Sequence, residues 1–427
     1  MNAKNRSKNP RPALASTALL VAGIFLIAAN LRAPITAVGP LVGAIRESTG
    51  ISGSAAGLLT TITLIAFGLV SPIAPRIARR IGIEATLFVG TAVILLGVVL
   101  RSLPYVAALF AGTALIGMAI ALGNVLLPTL IKRDFPHKLG MMTGIYSVSM
   151  NLWAGIASGL SIPLAEAAGL GWRGSLGFWA ALSAVAAVVW LPQLLRTADE
   201  TSASTSASAS APKPAAGRRA SGLRRSSLAW QVSFYMGLQS FLFYANVSWL
   251  PEILHDRGLS YETAGWFLSL MQIVSVPASF ATPILAARLR SQRPIVAVLC
   301  AILFVSYAGL LFAGGTAALA AVWIVLLGIS MGSAFSLSVL FFSLRTTGVR
   351  QSAELSGMAQ SIGYLIACIG PALIGYLHDS THGWTWPLIV MTAIVVGKLV
   401  AGLGAGSART IADEPAKPPL AAAGARR

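Results

Sequence analysis

Charged side chains are scarce in this chain. Asp, Glu, Lys and Arg make up 10% of its 427 residues, and only 13 residues are acidic. A soluble globular domain carries roughly 25% charged residues, so the composition excludes that class. The two cysteines, Cys300 and Cys368, are too few for a disulfide-dense scaffold. Metal-ligand clusters, phosphate-binding loops and nucleophile–base pairs are also missing from the sequence, which therefore predicts neither a cofactor nor an enzyme.

Long apolar runs dominate the sequence instead. Hydrophobic residues make up 56% of it, and they fall into twelve segments, each long enough to cross about 30 Å of hydrocarbon. These segments predict an all-α membrane protein with twelve transmembrane helices. They lie near residues 14–45, 52–73, 83–102, 105–131, 139–165, 172–195, 229–254, 261–287, 294–314, 316–344, 352–377 and 384–406.

Most of the 31 Lys and Arg residues fall on one side of this arrangement, the side of the N-terminus. Basic residues concentrate in cytoplasmic loops of membrane proteins. The sequence therefore predicts a multi-pass protein of the cell membrane with both termini in the cytoplasm, in contact with lipid and not with nucleic acid. Only Arg32 and Lys398 fall well inside segments, and Lys398 is expected to reach the inner interface. Four basic residues fall on the outer side: Arg46, Arg101, Arg173 and Arg257.

A polar stretch at residues 196–228 divides the segments into six and six. It is rich in Ser and Ala and carries basic residues from Arg218 to Arg225, which predicts a flexible basic cytoplasmic linker. The predicted organisation is a cytoplasmic tail, a six-helix bundle, the linker, a second six-helix bundle and a disordered cytoplasmic tail. Their bounds are 1–13, 14–195, 196–228, 229–406 and 407–427.

The two halves repeat at a spacing of 208 residues. Gly50 aligns with Gly258, and Pro75 aligns with Pro283 at the same cytoplasmic turn. Each half has an even number of spans, so the bundles share one orientation. Parallel repeats of this kind are related by an axis along the membrane normal, and a substrate site is expected between them. The fold predicted is thus two pseudo-symmetric six-helix bundles.

Arg32 is the leading candidate for a functional residue. An arginine inside an apolar span costs at least about 2.5–3.5 kcal/mol on insertion scales, so something must compensate for it. Pro34, Gly39 and Pro40 follow it and predict a broken helix at this point. Arg32 is expected either to bind an anionic substrate or to bond carbonyls freed by the break. The neighbouring Asn30 and Thr36 fit both arrangements.

Further polar and aromatic residues lie within the apolar spans at helical spacings. Together they predict a central polar cavity, although each also suits a hydrogen bond between helices. Carboxylates are absent from the centres of the predicted spans, so no acidic proton relay is visible. The pair Gly155 and Gly159 predicts close helix packing. The additional candidate binding residues are Asn151, Trp153, Gln239, Tyr244, Asn246, Gln272, Gln360 and Tyr364.

The six-plus-six arrangement with a basic central linker and a basic turn after the second span resembles the major facilitator superfamily. Three stretches resemble its cyanate permease and 2-nitroimidazole transporter family: residues 30–41, 123–136 and 248–254. The resemblance implies alternating access around a small-molecule substrate, a monomeric working unit and a gating role for the cytoplasmic arginines Arg76, Arg79 and Arg80. Pro75 stands where the superfamily usually carries Asp, so a gating salt bridge from that position is not expected.

The first function expected is secondary active or facilitative transport of a small anion or planar polar solute, cyanate-like or a related organic anion. A second is export of nitroimidazole-like or other toxic heterocycles, for which the aromatic residues would matter more than Arg32. A third, a non-transporting membrane sensor, is disfavoured because the linker and tail are too short to hold a signalling domain. A proton as coupling ion is left open.

Overall fold

The computed structural model covers residues 11–51, 53–207, 222–259, 261–312 and 316–413, and every regular element within these ranges is a helix. Residues 1–10, 208–221 and 414–427 of the predicted tails and linker lie outside the described residues. The α-helices are α1 (Arg11–Asn30), α2 (Ala33–Thr36), α3 (Val42–Thr49), α4 (Gly53–Val70), α5 (Ala74–Ile81), α6 (Ile83–Arg101), α7 (Val106–Asp134), α8 (Leu139–Ala165), α9 (Gly171–Ala207), α10 (Ser227–His255), α11 (Tyr261–Arg288), α12 (Arg293–Phe312), α13 (Ala317–Leu344), α14 (Val349–Thr381) and α15 (Thr385–Ala405).

The predicted all-α membrane architecture is confirmed. Ten helical spans among the described residues are long and apolar enough to cross a membrane, and the pair Thr61–Val70 and Ala74–Ile81, bent by 56°, gives an eleventh. Helix α10 has 29 residues but is not among them, because its Gln, Asn and Ser side chains lower its hydropathy. With α10 the described helices provide the twelve crossings expected.

The first span is broken where the sequence predicts it. Helix α1 ends at Asn30 and α2 begins at Ala33, leaving Leu31 and Arg32 in a turn. Pro34 has no N–H to donate to the carbonyl of Asn30, which removes one helical hydrogen bond and favours a break at this point. The break places Arg32 at the inner wall of the bundle.

Equivalent contacts recur in the two halves of the chain, here called the N-terminal half (α1–α9) and the C-terminal half (α10–α15). Gly50 and Gly258 both have positive φ, at 70° and 93°. Trp172 donates Nε1–H to Ser48 Oγ at 2.6 Å, and Trp384 donates to Asp256 Oδ2 at 2.6 Å. Ser48 and Asp256 are separated by the same 208 residues as the two glycines. The local geometry therefore follows the sequence repeat.

Two expectations about the segment ends are modified. Helix α9 continues to Ala207, so the first residues of the predicted linker are helical. Arg101, expected in the outer loop, is 1% exposed in the last turn of α6. Its Nη1–H donates to the carbonyl oxygen of Pro34 at 2.5 Å, because the break in the first span leaves that carbonyl without a backbone partner.

Candidate functional site

A cavity of about 1210 Å³ lies between the two halves. Its walls come from the broken first span, α4, α7 and α8 on one side and from α10, α11 and α14 on the other. The polar and aromatic residues that line it are Arg32, Thr36, Phe67, Asn124, Asn151, Ser158, Phe243, Tyr244, Ser248, Ser269, Gln272 and Tyr364.

The broken segment is held rigidly against its neighbours. Thr36 Oγ1–H donates to the carbonyl of Ala154 in α8 at 3.1 Å, and Arg101 caps Pro34 from α6. Two helices thus bond the residues that follow Arg32. The arginine backbone is therefore fixed at the cavity wall, while its side chain is free to meet a ligand.

The Arg32 guanidinium lies between two aromatic rings. Its carbon is 5.1 Å from the ring centre of Phe243 and 5.2 Å from that of Phe335, both within the range of a cation–π contact. Within the described residues the Arg32 side chain has neither a hydrogen bond nor an ion pair. Arg101, and not Arg32, bonds the freed carbonyl. The arrangement leaves the donors of Arg32 available to an anion.

Aromatic side chains form much of the remaining wall. Phe67 and Tyr364 contact each other across the two halves, with ring centres 4.7 Å apart, and Phe243 and Tyr244 form an edge contact at 5.2 Å. Offset and edge-to-face pairs of this kind fix the orientation of the rings. The cavity therefore combines one unpaired cation with several flat apolar faces.

Six of the predicted binding residues line the cavity and five do not. Those at the wall are Arg32, Thr36, Asn151, Tyr244, Gln272 and Tyr364. Sequence reasoning missed Phe67, Phe335 and Asn124; phenylalanines in an apolar span carry no signal, whereas Asn124 is a polar residue in such a span. Its side-chain oxygen accepts a hydrogen bond from Tyr146 at 3.3 Å.

The other five predicted binding residues do not line the cavity, and their contacts fit the alternative role, in packing and hydrogen bonding of the helices. Asn30 is fully buried and bonds the carbonyl of Leu26 and the hydroxyl of Ser183. Trp153 packs edge-on against Trp179. Gln360 donates to the carbonyl of Asn124 at 2.7 Å. Gln239 and Asn246 face the interior of the C-terminal half; Asn246 bonds Tyr307 at 2.6 Å. Helical spacing identifies a shared face but not which neighbour that face meets.

The cavity is closed toward the terminal face, meaning the end of the bundle at which α1 begins and α15 ends. A Cβ built on Gly140 or Gly144 of α8 would lie 2.5 Å or 2.9 Å from carbonyl oxygens of α11. At Gly155 and Gly159, farther along α8, nothing lies within 4 Å of such an atom. The two helices therefore meet at the terminal face and diverge away from it. Gly155 and Gly159 line the cavity and do not pack against a helix, contrary to expectation.

A lysine latch crosses the closed end. Lys132 at the end of α7 donates to the carbonyl of Ser343 at 2.7 Å, to the hydroxyl of Thr346 at 2.6 Å and to the Thr346 carbonyl. These acceptors belong to the C-terminal half. Lys132 thus supplies a link between the halves that uses no carboxylate.

Of the three arginines predicted to form the gate, Arg79 contacts the opposite half. It pairs with Glu354 at 3.4 Å, with the Arg79 side chain 45% exposed. Arg76 donates within its own half, to the carbonyl of Pro72 at 3.1 Å, and Arg80 is exposed. An exposed pair of this kind contributes at most about 1 kcal/mol, so the lysine latch is the stronger closure.

Filling the cavity from α8 is expected to block the protein without unfolding it. Gly155→Trp places an indole in open space, so the melting temperature should stay near that of the wild type while solute uptake is lost. Uptake into proteoliposomes and thermal unfolding measure the two effects. The matched change Gly144→Trp should lower the melting temperature, because its Cβ meets the carbonyl of Phe280 at 2.9 Å. Normal uptake by Gly155→Trp would contradict the position of the solute path.

Each half is a bundle of antiparallel helices, and the two halves enclose a central cavity that is closed at one face. This arrangement is typical of a membrane transporter. The model of the Major Facilitator Superfamily matches residues 18–371, and the chain belongs to that superfamily. It is a transporter and not an enzyme.

Similar proteins extend over nearly the whole chain. The uncharacterized transporter YycB of Bacillus subtilis (strain 168) is 46% identical over 92% of this chain and 94% of its own length. The 2-nitroimidazole transporter of Escherichia coli (strain K12) is 39% identical over 92% of this chain and 96% of its own. The solved structure of the proton:xylose symporter XylE matches with a TM-score of 0.72 at 13% identity, covering 93% of this chain and 98% of that chain. This last likeness concerns the fold alone.

Proposed function

We propose that this protein moves a small planar anion or heterocycle across the cell membrane by alternating access, as a secondary active or facilitative transporter. The carrying observation is the Arg32 guanidinium, which lies on the wall of the cavity between two rings and has no acceptor among the described residues. A guanidinium presents five donors in a planar fork that suits a carboxylate or a similarly delocalised anion. The solute is held there between the two halves.

The size of the cavity favours a solute with a ring over a triatomic anion such as cyanate. Ligand pockets typically have volumes of about 300–1,000 Å³, and this cavity reaches about 1210 Å³. A cyanate ion beside Arg32 would leave most of the aromatic wall without contact. An aromatic or heteroaromatic anion would pair with Arg32 and stack on Phe243 or Tyr364 at the same time.

Export of a nitroimidazole-like heterocycle is the second candidate. The aromatic wall of Phe67, Phe243, Tyr244 and Tyr364 supports it, as does the 39% identity to the 2-nitroimidazole transporter of Escherichia coli. Such a solute would depend on ring stacking more than on the charge of Arg32. The direction of net flux in cells separates export from uptake.

The orientation in the membrane follows from the charges. We infer that the terminal face is cytoplasmic, because basic residues such as Arg76, Arg80, Lys138 and Arg290 lie in the segments that connect the spans at that face. Both termini are then in the cytoplasm, and the cavity described here is open to the outside. The working unit is a monomer surrounded by lipid, since the cavity is built within one chain.

The proposed function is tested by ligand binding and exchange on the purified protein. We expect 4-hydroxybenzoate and 2-nitroimidazole to raise the melting temperature more than cyanate does; a ligand at one hundred times its Kd adds about 2.7 kcal/mol to the free energy of unfolding. The wild-type protein in proteoliposomes should exchange the labelled compounds by counterflow faster than the blocked variant Gly155→Trp does. If none of the three compounds binds or exchanges, this choice of solute class is wrong.

A further inference from the structure

A row of buried polar side chains runs through the C-terminal half, away from the cavity. Its members, called the buried polar row, are Lys398 on α15, Tyr235, Gln239 and Asn246 on α10, and Tyr307 on α12. All five are at most 2% exposed. Tyr235, Gln239 and Asn246 share one face of α10, since they follow one another at i, i+4 and i+11.

Four polar atoms of this row have no hydrogen-bond partner among the described residues. They are Lys398 Nζ, Tyr235 Oη, Gln239 Oε1 and Asn246 Oδ1. Buried polar groups are paired in the great majority of cases, and unpaired ones are explained by strain, by a functional role, or by a bound water or ion. Three of these atoms lie along one face of α10 and the fourth, Lys398 Nζ, lies on α15 beside Tyr235, which is more than the imperfect packing of a single side chain produces.

Lys398 is the ionisable end of the row. It was expected to reach the inner interface, but its side chain is fully buried, with Nζ 5.8 Å from the ring centre of Tyr235. It lies seven residues before the end of α15, about 10 Å along the helix from the terminal face. Close packing keeps it inside: a Cβ on Gly402, one turn further on, would meet Val296 and Tyr235 within 2.8 Å.

No counterion accompanies Lys398 among the described residues. The ionisable groups that face it are Tyr235 of α10 and Cys300 of α12, and the ion pairs within the described ranges do not include it. An ammonium ion buried without a partner is strongly disfavoured, and such a group is neutral instead. In this conformation Lys398 is therefore suited to the neutral amine form.

The row and the solute cavity share one helix. Helix α10 places Phe243 and Tyr244 on the cavity wall and Tyr235 and Gln239 in the row. A movement of α10 that closes the cavity around a solute therefore also changes the surroundings of Lys398. A group whose burial changes with solute binding has the physical requirement for coupling the two.

We infer that Lys398 is the proton-binding site that couples transport in this protein. The neutral amine takes up one proton when the row opens to water at one face of the membrane, and the ammonium releases that proton at the other face. Tyr235, Gln239 and Asn246 are the polar contacts through which water reaches it. This inference rests on the proposed transport function, and it assigns the coupling role to a base, because the described spans carry their acidic residues near the ends and not at the centre.

The test compares proton movement with exchange in proteoliposomes loaded with a pH-sensitive dye, using 4-hydroxybenzoate gradients. We expect Lys398→Met to keep counterflow close to wild type and to lose gradient-driven proton movement by at least tenfold. Lys138→Met, a change of an exposed lysine, should keep both. Wild-type proton movement by Lys398→Met would overturn the inference, as would wild-type transport of the solute without any proton movement.

A second measurement needs no solute, so it separates this inference from the proposed function. Purified wild type and Lys398→Met are melted between pH 6 and pH 10. Protonation of Lys398 in the buried site is opposed, so the wild type should lose stability relative to Lys398→Met as the pH falls. A melting-temperature difference between the two that stays constant over this range overturns the inference, whatever the protein transports.

Discussion

Arg32→Lys and Arg32→Ala are both expected to abolish uptake of an aromatic carboxylate while the protein still folds. The guanidinium offers two parallel donors to a carboxylate, and hydrogen bonds to charged groups contribute about 1.5–3 kcal/mol each. Losing two therefore costs about 3 kcal/mol or more, which is at least about a hundredfold in affinity. Lysine keeps the positive charge but lacks the planar pair of donors that binds both oxygens of a carboxylate. The measurement is the concentration dependence of 4-hydroxybenzoate counterflow.

The control for this prediction is Arg173→Ala. Arg173 lies over the ring of Trp172, with its guanidinium carbon 4.2 Å from the ring centre, and it is not part of the cavity wall. Its removal should leave counterflow unchanged. Near-normal uptake of 4-hydroxybenzoate by Arg32→Ala would contradict the proposal that Arg32 binds the anionic solute.

Lys132→Met is expected to release the closed face and shift the protein toward the opposite conformation. The ammonium makes three hydrogen bonds to Ser343 and Thr346. Each bond stabilises the closed conformation by about 1.5 kcal/mol or less, once the new hydrogen bonds to water are counted. Losing all three therefore destabilises that conformation by about 3 kcal/mol. A shift of this size changes the ratio of the two conformations about a hundredfold.

The measurement for the latch is thiol labelling of a reporter, Ser356→Cys. Ser356 is fully buried in α14, next to Gly357, whose Cβ would meet the carbonyl of Ser71 in the other half at 2.7 Å. In a background with Cys300 and Cys368 replaced by Ala, Lys132→Met should speed labelling strongly. Arg79→Met removes only an exposed pair and should speed it little. Equal labelling in both variants would mean that Lys132 does not hold the halves together.

The residues that carry unusual chemistry for their surroundings were identifiable from the sequence. Arg32 stands out because a charge in an apolar span is costly, and Pro34 places the helix break beside it. Asn124 is identifiable in the same way, because it is a polar residue inside an apolar span. The repeat of 208 residues also carries through to the contacts of Trp172 and Trp384. These features depend on residue type and position along the chain.

The orientation of a polar helix face could not be predicted from its spacing. On α10, Phe243 and Tyr244 reach the cavity, whereas Gln239 and Asn246 do not, and Asn246 bonds Tyr307 of α12. Both sets have helical spacing, and only the neighbouring helices distinguish them. Arg101 and Lys398 show the same limit: each is near enough to a span end to reach water, yet packing buries both.

The sequence by itself determined that this chain is an all-α membrane protein, that its halves repeat, and that Arg32 lies at a break in the first span. Those properties follow from hydrophobic length, charge placement and proline, which act locally. The tertiary structure alone decided that Arg101 caps the freed carbonyl while Arg32 faces the cavity, that Gly155 borders open space, and that Lys398 is enclosed. Each of these depends on which helices approach one another, and that is set by packing across residues far apart in the chain.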